Sequence, residues 1–250
     1  MLVALLPLLL TSVAPLLWTL IAYSIPYDAP QQFANTNITL VIAHPDDEVM
    51  FFGPTLNRIA HPRNNNSLSI VCLSTGDSEG LGEVRKAEMA KSADNFLVDS
   101  AHLTIIDDEK LPDSMEIEWD AEYVADILEN TVQTDKLVTF DEQGVSDHSN
   151  HKTLYHAAQI WKNRSSSRKV WTLTSSSIYR KYLGNFDSLF TYFVERYARP
   201  EDIIVVAQQG DYQRTKRTMS GAHKSQMKWF RYLWIMFSRY MYVNNLVEMQ

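Results

Sequence analysis

The sequence predicts an α/β fold: a mostly parallel, Rossmann-like sheet with helices on both faces, preceded by one N-terminal transmembrane helix. Two observations predict this class. Short apolar runs alternate with segments of helical spacing along most of the chain, and this alternation is typical of parallel sheets. Before them, residues 2–25 contain no charged side chain, and about 20 apolar residues are enough to cross a bilayer as a helix.

The N-terminal stretch favours a retained membrane anchor over a cleaved secretory signal. No basic residue precedes the apolar run, and Arg58 is the first Lys or Arg of the chain. A signal peptide, which is the alternative, would begin with basic residues and have a shorter apolar core. We therefore expect a transmembrane anchor at 1–25, a linker at 26–37 and one domain at 38–250.

Composition limits the partners and the compartment. The formal net charge of -7 at pH 7 argues against a nucleic-acid binder, which would carry a basic surface. Cys72 is the only cysteine, so no disulfide can form within the chain, and a domain that faces the cytosol fits this.

Each strand is predicted from a short apolar run rich in β-branched residues. The first run stops at His44, because Pro45 cannot continue a central strand. The predicted strands are, in order, 38–43, 68–74, 103–106, 137–140, 170–174 and 203–207.

Each helix is predicted from apolar residues three and four positions apart. Trp119, Tyr123 and Ile127 show this spacing clearly. The predicted helices are, in order, 50–58, 83–96, 119–132 and 151–161, with an amphipathic helical region from Asp211 to the end of the chain. Within that region the aromatic run 229–242 carries two arginines. It either packs into the core or lies in a lipid headgroup layer.

Acidic residues are concentrated where the first strand ends, in His44-Pro-Asp-Asp-Glu48. Neighbouring carboxylates repel one another unless a cation lies among them. His44 and Asp47 are three positions apart, so one helical turn places both on one side. Asp46 then lies between two candidate metal ligands. The alternative is that the acids only cap a helix, where they complement its dipole.

A second group follows the fourth predicted strand, where His148 and His151 are three positions apart. In a doubly wound sheet the first and fourth strands are neighbours where the strand order reverses, and ligands bind at that point. We expect His151 to join His44 and Asp47 as the third ligand of a catalytic metal. The alternative is that both histidines are polar surface residues.

The same placement predicts roles for the residues around the ion. Asp46 would be the general base, and His148 would stabilise an oxyanion. Asp141 would accept a hydrogen bond from one of the two histidines of the second group, or would simply end its strand. Arg85, which follows a glycine-bearing loop, would bind a sugar hydroxyl or a phosphate, or would lie on the surface.

These motifs resemble those of the LmbE-like zinc deacetylases. Both Ala43-His-Pro-Asp-Asp-Glu48 and His148-Ser-Asn-His151 carry the resemblance. Other segments are similar to the eukaryotic PIG-L branch of that family: Met50-Phe-Phe, Gly82-x-x-Arg85-x-x-Glu88, the run 138–146 and Phe237-Ser-Arg-Tyr-Met241. Asp147 departs from the pattern, because it stands where the family carries glycine.

The resemblance, which extends from about residue 38 to the C-terminus, implies a zinc-dependent N-deacetylase. It implies His44, Asp47 and His151 as Zn²⁺ ligands, Asp46 as the base and His148 as the oxyanion stabiliser. Ferrous iron or manganese would suit the same ligands.

The implied substrate is a membrane glycolipid, N-acetylglucosaminyl-phosphatidylinositol. Its hydrolysis to glucosaminyl-phosphatidylinositol and acetate is the second step of glycosylphosphatidylinositol (GPI) anchor assembly. The implied location is the endoplasmic reticulum membrane, with the domain facing the cytosol. Two alternatives stay open: a deacetylase of another N-acetylglucosamine conjugate, and a non-catalytic membrane adaptor. The sequence does not identify a protein partner.

Overall fold

One seven-stranded sheet organises the computed structural model, which describes residues 2–250, with side chains from residue 13 onward. Its spatial order is β3-β2-β1-β4-β5-β7-β6. The strands are β1 (Asn37–Ile42), β2 (Ser67–Cys72), β3 (Leu103–Ile105), β4 (Lys136–Phe140), β5 (Lys169–Leu173), β6 (Ile203–Val206) and β7 (Val243–Glu248). The six predicted strands are confirmed to within two residues at each end.

Helices connect most of these strands, and the four predicted between residues 50 and 161 are confirmed. The α-helices are α1 (Leu2–Ser24), α2 (Asp47–Ile59), α3 (Gly82–Asn95), α4 (Ala121–Thr131), α5 (Ser149–Asn163), α6 (Ile178–Lys181), α7 (Asn185–Phe190), α8 (Gln209–Gly221) and α9 (Trp229–Phe237). A π turn at Thr191–Glu195 and a last helical turn at Arg196–Ala198 extend α7. An irregular turn, Gly144–Asp147, precedes α5.

The first five strands run parallel, and β1 pairs with both β2 and β4. Successive side chains of a strand point to opposite faces of the sheet, and all residues of β1 from Ile38 to Ile42 are buried. Both faces of the sheet are therefore covered at β1. The strand order reverses between β1 and β4, as predicted, and this places the ends of these two strands side by side.

The C-terminus differs from the prediction of a helical region. Helices α8 and α9 form, but the chain then enters β7, which pairs antiparallel with β5 and β6. Asn244 and Asn245 interrupt the apolar pattern of this strand, yet both are buried. The Asn244 amide bonds the backbone of Phe51 and the hydroxyl of Thr55. Tertiary hydrogen bonds therefore compensate the buried amide.

The N-terminal helix α1 packs its described side chains on the domain from one side. Trp18 is buried and donates its indole N–H to the carbonyl of Ala207 at 3.0 Å, whereas Leu16 and Leu20 are exposed. The predicted anchor includes residues 1–12, whose side chains lie outside the described residues. Among the residues described, no helix has both the length and the apolarity that a bilayer crossing requires.

The segment predicted as a linker, 26–37, packs against the domain. Phe33 is fully buried, and the backbone carbonyl of Pro26 accepts a hydrogen bond from Arg58 at 2.7 Å. The division into anchor, linker and domain stays a prediction.

Candidate active site

The two predicted residue clusters meet at the ends of β1 and β4. The ring centroid of His44 lies 5.7 Å from that of His151 and 4.9 Å from that of His148. His44, Asp47 and His151 are buried, and each offers a ligand atom within 4.8 Å of the other two. The predicted juxtaposition is therefore present, and the two histidines of the second cluster are not ordinary surface residues.

The hydrogen-bond partners of His44 and His151 fix the tautomer of each ring. Asn150 is oriented by the backbone of the loop before α4, because its oxygen accepts from Ser114 and its nitrogen donates to Ile117. The same oxygen lies 3.0 Å from Nε2 of His44, which must donate. Nδ1 of His151 donates to the carbonyl of Gly144 at 3.1 Å. The remaining ring nitrogens therefore carry free lone pairs.

Both of these ring nitrogens lie near one carboxylate oxygen. Oδ2 of Asp47 lies 3.7 Å from Nδ1 of His44 and 3.3 Å from Nε2 of His151. That nitrogen of His151 is buried and has no hydrogen-bond partner among the described residues. Two nitrogen lone pairs and a negatively charged oxygen repel one another when no cation lies among them. These three atoms therefore fit the coordination of a divalent cation.

Asp47 is held in an ionised state suited to this role. Burial raises the pKa of its carboxyl group, but a proton on the His151 or His44 ring and the backbone N–H of His44 lower the pKa by more, and the net shift is downward. Oδ2 also accepts the backbone N–H groups of Ala43 and His44 at 3.1 and 2.9 Å. The turn after β1 thus fixes the carboxylate against the strand end.

A second group of possible ligands shares His44 and includes Asp113 and His148. In this group Asp113 approaches His44 at Nε2, at 3.4 Å. That nitrogen already donates to Asn150. The tautomer therefore favours the predicted ligand set over the alternative one.

Asp46 lies beside the predicted ligands with an unusual backbone conformation. Its φ of 104° is left-handed, a region that residues other than glycine rarely adopt. In the part of the chain that the structure describes, its side chain makes no capping hydrogen bond to α2, so capping does not explain this acid. Arg231 approaches Oδ2 at 2.9 Å and Arg85 approaches Oδ1 at 3.7 Å.

The environment of Asp46 favours proton uptake. Burial raises the pKa of its carboxyl group, and the opposing charges of Arg231 and Arg85 reduce this shift without reversing it. A carboxylate of raised pKa is a stronger base than an exposed aspartate. The position and the basicity therefore suit a general base.

A buried network holds the strained turn in place. Glu48 accepts the backbone N–H of Asp46 at 3.1 Å, the hydroxyl of Ser92 at 2.5 Å and Nε2 of His223 at 2.6 Å. Both Glu48 and His223 are fully buried. Sequence reasoning missed the His223 partner of Glu48, because a single histidine far along the chain carries no spacing signal.

His148 lies at the rim of the site and presents an N–H group to it. Its Nδ1 accepts the backbone N–H of Asn150 at 3.3 Å, so Nε2 carries the proton. Burial lowers the pKa of His148 to about 4, so the ring is neutral at physiological pH. A neutral donor at this position suits oxyanion stabilisation.

Asp141 supports the site differently from the prediction. Among the described residues its carboxylate makes no hydrogen bond to either histidine of the second cluster, which corrects that prediction. Instead it accepts from the backbone of Gly144 and from Ser175 at 3.1 and 2.6 Å. Gly144 has a φ of 58°, and a Cβ there would lie 2.8 Å from the Cβ of His151. Asp141 thus fixes the glycine whose carbonyl orients His151.

Arg85 is buried rather than on the surface. It donates to the carbonyls of Pro45 and Gly76 at 2.6 and 2.7 Å and pairs with Asp113 at 3.1 Å. Arg85 therefore ties the turn after β1 to the loop after β2. Asp113, like Arg231, was not predicted as a site residue.

A cavity of about 350 Å³ opens above these groups. The predicted ligands, Asp46, Arg85 and His148 line its floor. Its upper wall is aromatic and comes from α9 and the segment after α6: Tyr182, Phe230 and Trp234. The cavity combines a polar floor with an apolar wall, as expected for a small polar group on a larger amphipathic molecule.

Comparisons with known proteins identify relatives of this chain. Residues 39–161 match the family model described as "PIG-L: GlcNAc-PI de-N-acetylase". The chain is 36% identical to a probable N-acetylglucosaminyl-phosphatidylinositol de-N-acetylase of Schizosaccharomyces pombe, with 87% of this chain and 88% of that protein covered. It is 35% identical to the N-acetylglucosaminyl-phosphatidylinositol de-N-acetylase of Bos taurus, with 96% and 97% covered.

Solved structures show the same fold at low identity. N,N'-diacetylchitobiose deacetylase from Pyrococcus horikoshii has a TM-score of 0.56 and 17% identity, with 96% of this chain and 90% of that chain covered. Teicoplanin deacetylase has a TM-score of 0.56 and 10% identity, with 86% and 99% covered. On the match to the family model and on the identity to its relatives over most of their length, the chain belongs to the PIG-L deacetylase family.

Proposed function

We propose that this chain hydrolyses the N-acetyl group of N-acetylglucosaminyl-phosphatidylinositol, giving glucosaminyl-phosphatidylinositol and acetate in the second step of GPI-anchor assembly. The names of the relatives from Schizosaccharomyces pombe and Bos taurus support this substrate. One feature of the site carries the proposed chemistry. The unprotonated ring nitrogens of His44 and His151 lie near the Asp47 carboxylate, and the proposed base Asp46 lies beside them.

The proposed cofactor is Zn²⁺, held by His44, Asp47 and His151. Two neutral imidazoles and one carboxylate form a donor set typical of catalytic zinc. The orphaned Nε2 of His151 supports the fit. When bound, such an ion supplies Lewis-acid activation of water and of the amide carbonyl.

The remaining chemistry belongs to two side chains. Asp46 accepts a proton from the attacking water as the water oxygen bonds to the acetyl carbon. The Nε2–H group of His148 donates to the carbonyl oxygen as it gains negative charge. Asp46 then passes the proton to the amide nitrogen as the carbon–nitrogen bond breaks, which releases acetate and the free amine.

Arg85 is the proposed contact to the substrate. It lines the cavity beside Asp46 and Asp113. A guanidinium there suits a sugar hydroxyl or the inositol phosphate.

We further propose that the chain acts at the endoplasmic reticulum membrane, with its domain in the cytosol. The substrate named for the relatives is a membrane lipid. The single cysteine, Cys72, supports a reducing compartment.

An acetate-release assay tests the proposed function. The purified full-length chain is given N-acetylglucosaminyl-phosphatidylinositol in mixed micelles, with N,N'-diacetylchitobiose as the matched control sugar. We expect acetate from the lipid, loss of activity with a chelator, and recovery when Zn²⁺ is added back. Equal turnover of both substrates would point to a general N-acetylglucosamine deacetylase. No turnover of either, with metal bound, would favour the non-catalytic adaptor.

A further inference from the structure

Large apolar side chains cover one exposed surface beside the catalytic cavity. We define this aromatic face as the exposed apolar residues of 178–197 and of α9. Its most exposed members are Tyr179, Tyr197 and Trp229, at 84%, 80% and 76%. Single exposed apolar residues are ordinary on protein surfaces, but a contiguous patch of this kind marks an interaction site.

The two parts of the aromatic face are joined by direct contacts. The backbone N–H of Gly184 donates to the carbonyl of Phe237 at 2.7 Å. The rings of Tyr182 and Trp234 meet edge to face, with centroids 5.9 Å apart. Tyr182 and residues of α9 also line one groove, so the two parts adjoin at the surface there.

The acidic groups of 178–197 point inward, which inverts the usual arrangement of a water-facing surface, and Arg196 is the charged residue of this segment that stays exposed. Asp187 and Glu195 are the only acids of 178–197. Asp187 is fully buried and pairs with Arg180 and Arg239, each at 2.6 Å, and Glu195 also pairs with Arg180. The charges neutralise one another beneath the surface, and the aromatic residues are left outside.

Helix α9 also directs its charged side chain inward and most of its apolar side chains outward. It contains no acidic residue, and its one arginine, Arg231, reaches inward to Asp46 at 2.9 Å. Lys224 and Lys228 precede it and are exposed, and Lys228 pairs with Glu79. A helix with apolar residues outward and cations at one end suits the boundary between lipid headgroups and acyl chains.

The aromatic face also adjoins the entrance to the catalytic cavity. Phe230, Arg231 and Trp234 line both the cavity and a neighbouring apolar groove of about 430 Å³. The groove continues outward along Leu233 and Phe237. A second copy of this chain seated on the face would cover that entrance, whereas a bilayer would deliver a lipid substrate to it.

We propose that the aromatic face docks on the surface of a phospholipid bilayer. The apolar groove then takes an acyl chain of the lipid while its sugar headgroup enters the cavity. The identity of that lipid rests on the proposed function; the docking itself does not. Helix α1 packs against α7, and its Leu16 and Leu20 are exposed.

Vesicle flotation tests the docking. The probe is a phosphatidylcholine vesicle containing phosphatidylinositol, and the protein is the full-length chain. The test variant is Tyr179→Glu with Tyr232→Glu, which places one acid on each part of the face. Both side chains are exposed, and glutamate is a good helix former, so the variant is expected to fold. Neither residue lines the cavity or the groove.

The matched control is Val84→Glu with Leu97→Asp. These residues are exposed at 47% and 62% and belong to neither part of the face. Aspartate also tolerates the left-handed conformation of Leu97, whose φ is 60°. The control therefore makes the same change of charge elsewhere on the surface.

We expect the test variant to bind vesicles at least about tenfold more weakly than the parent chain, because two apolar side chains leave the interface. The control should bind as the parent does. Equal binding of all three proteins would overturn the proposal, since α1 alone would then hold the chain on the vesicle. A lipid-free dimer of the parent that the test variant breaks would also overturn it.

A second readout separates this inference from the proposed function. The water-soluble headgroup, N-acetylglucosaminyl-inositol phosphate, is compared with the intact lipid presented in vesicles. The test variant should lose activity about tenfold on vesicles and retain it on the headgroup. Equal loss on both would overturn the docking. If the parent turns over neither substrate, the proposed function fails, and flotation still decides the docking.

Discussion

The site at the strand ends and the aromatic face distribute charge in opposite ways. The first buries His44, Asp46 and Asp47, which are at most 4% exposed. The second exposes aromatic rings and buries the ion pairs beneath them. Each arrangement is costly in water unless something else is present: a cation among the buried ligands, or an apolar phase against the exposed rings. Buried charged groups that lack a partner therefore indicate one kind of ligand, a cation, whereas exposed apolar rings indicate another, an apolar phase.

Helix α9 joins the two regions, because Arg231 reaches Asp46 while its neighbours face outward.

Removal of a proposed metal ligand should have the largest effect. His151→Ala deletes one of the two lone pairs that converge on Asp47, so we expect loss of stoichiometric metal and of all detectable activity. Metal analysis of the purified chain measures this. His156→Ala, on the same helix, is the control and should keep its metal. Full metal content in His151→Ala would remove this histidine from the ligand set.

Removal of the base should spare the metal. Asp46→Asn keeps the size of the side chain, and asparagine tolerates the left-handed backbone at this position. We expect kcat to fall by about 10²–10⁴-fold, with metal stoichiometry unchanged. Steady-state kinetics and metal analysis on one preparation measure both. Turnover equal to that of the parent would exclude Asp46 as the base.

Removal of Arg231 should shift the pH dependence of activity. A base acts when ionised, so activity is present above the pKa of Asp46 and is lost as pH falls through it. The Arg231 charge opposes the raised pKa of Asp46, so Arg231→Gln should raise that pKa further. The acidic limb of kcat/KM then moves to higher pH, with about a tenfold loss on the acidic side per pKa unit.

The control for this change is Arg231→Lys, which keeps the charge and should leave the acidic limb near its original position. Superimposable pH profiles for the glutamine variant and the parent would show that Arg231 does not influence the base.

Removal of His223 should affect stability more than chemistry. Burial lowers the pKa of His223, but the Glu48 carboxylate raises it by more. The stabilisation is therefore fully present below about pH 6.5, the ordinary histidine pKa, and is lost as pH rises through the raised value. We expect His223→Gln to lower the free energy of unfolding by about 1–3 kcal/mol at acidic pH, and by less at alkaline pH.

Urea denaturation at several pH values measures this change. The same loss at every pH would mean that the His223 side chain contributes by packing rather than by charge.

Much of the fold and the centre of the site could be predicted from sequence. The apolar run before His44 and the three-residue spacings within each cluster are local signals, and parallel topology brings the two strand ends together. These features predicted the ligand group without knowledge of long-range contacts.

The remaining site residues depend on such contacts. Asn150 fixes the tautomer of His44 across 106 positions, and His223 binds Glu48 across 175. Arg231 lies in an aromatic run, and the sequence predicted only that this run packs into the core or lies in a lipid headgroup layer. For β7, two buried asparagines concealed a strand, because the hydrogen bonds that satisfy them come from distant elements.

The position of β7 has a consequence for how the molecule is made. Synthesis proceeds from the N-terminus, so β5 and β6 leave the ribosome before the strand that separates them in the sheet. Helix α9, which carries Arg231 to Asp46, directly precedes β7 and reaches its place in the same late step. The residues of the histidine cluster are therefore translated early, whereas the wall of the pocket is complete only after translation of α9, which supplies Phe230, Arg231 and Trp234.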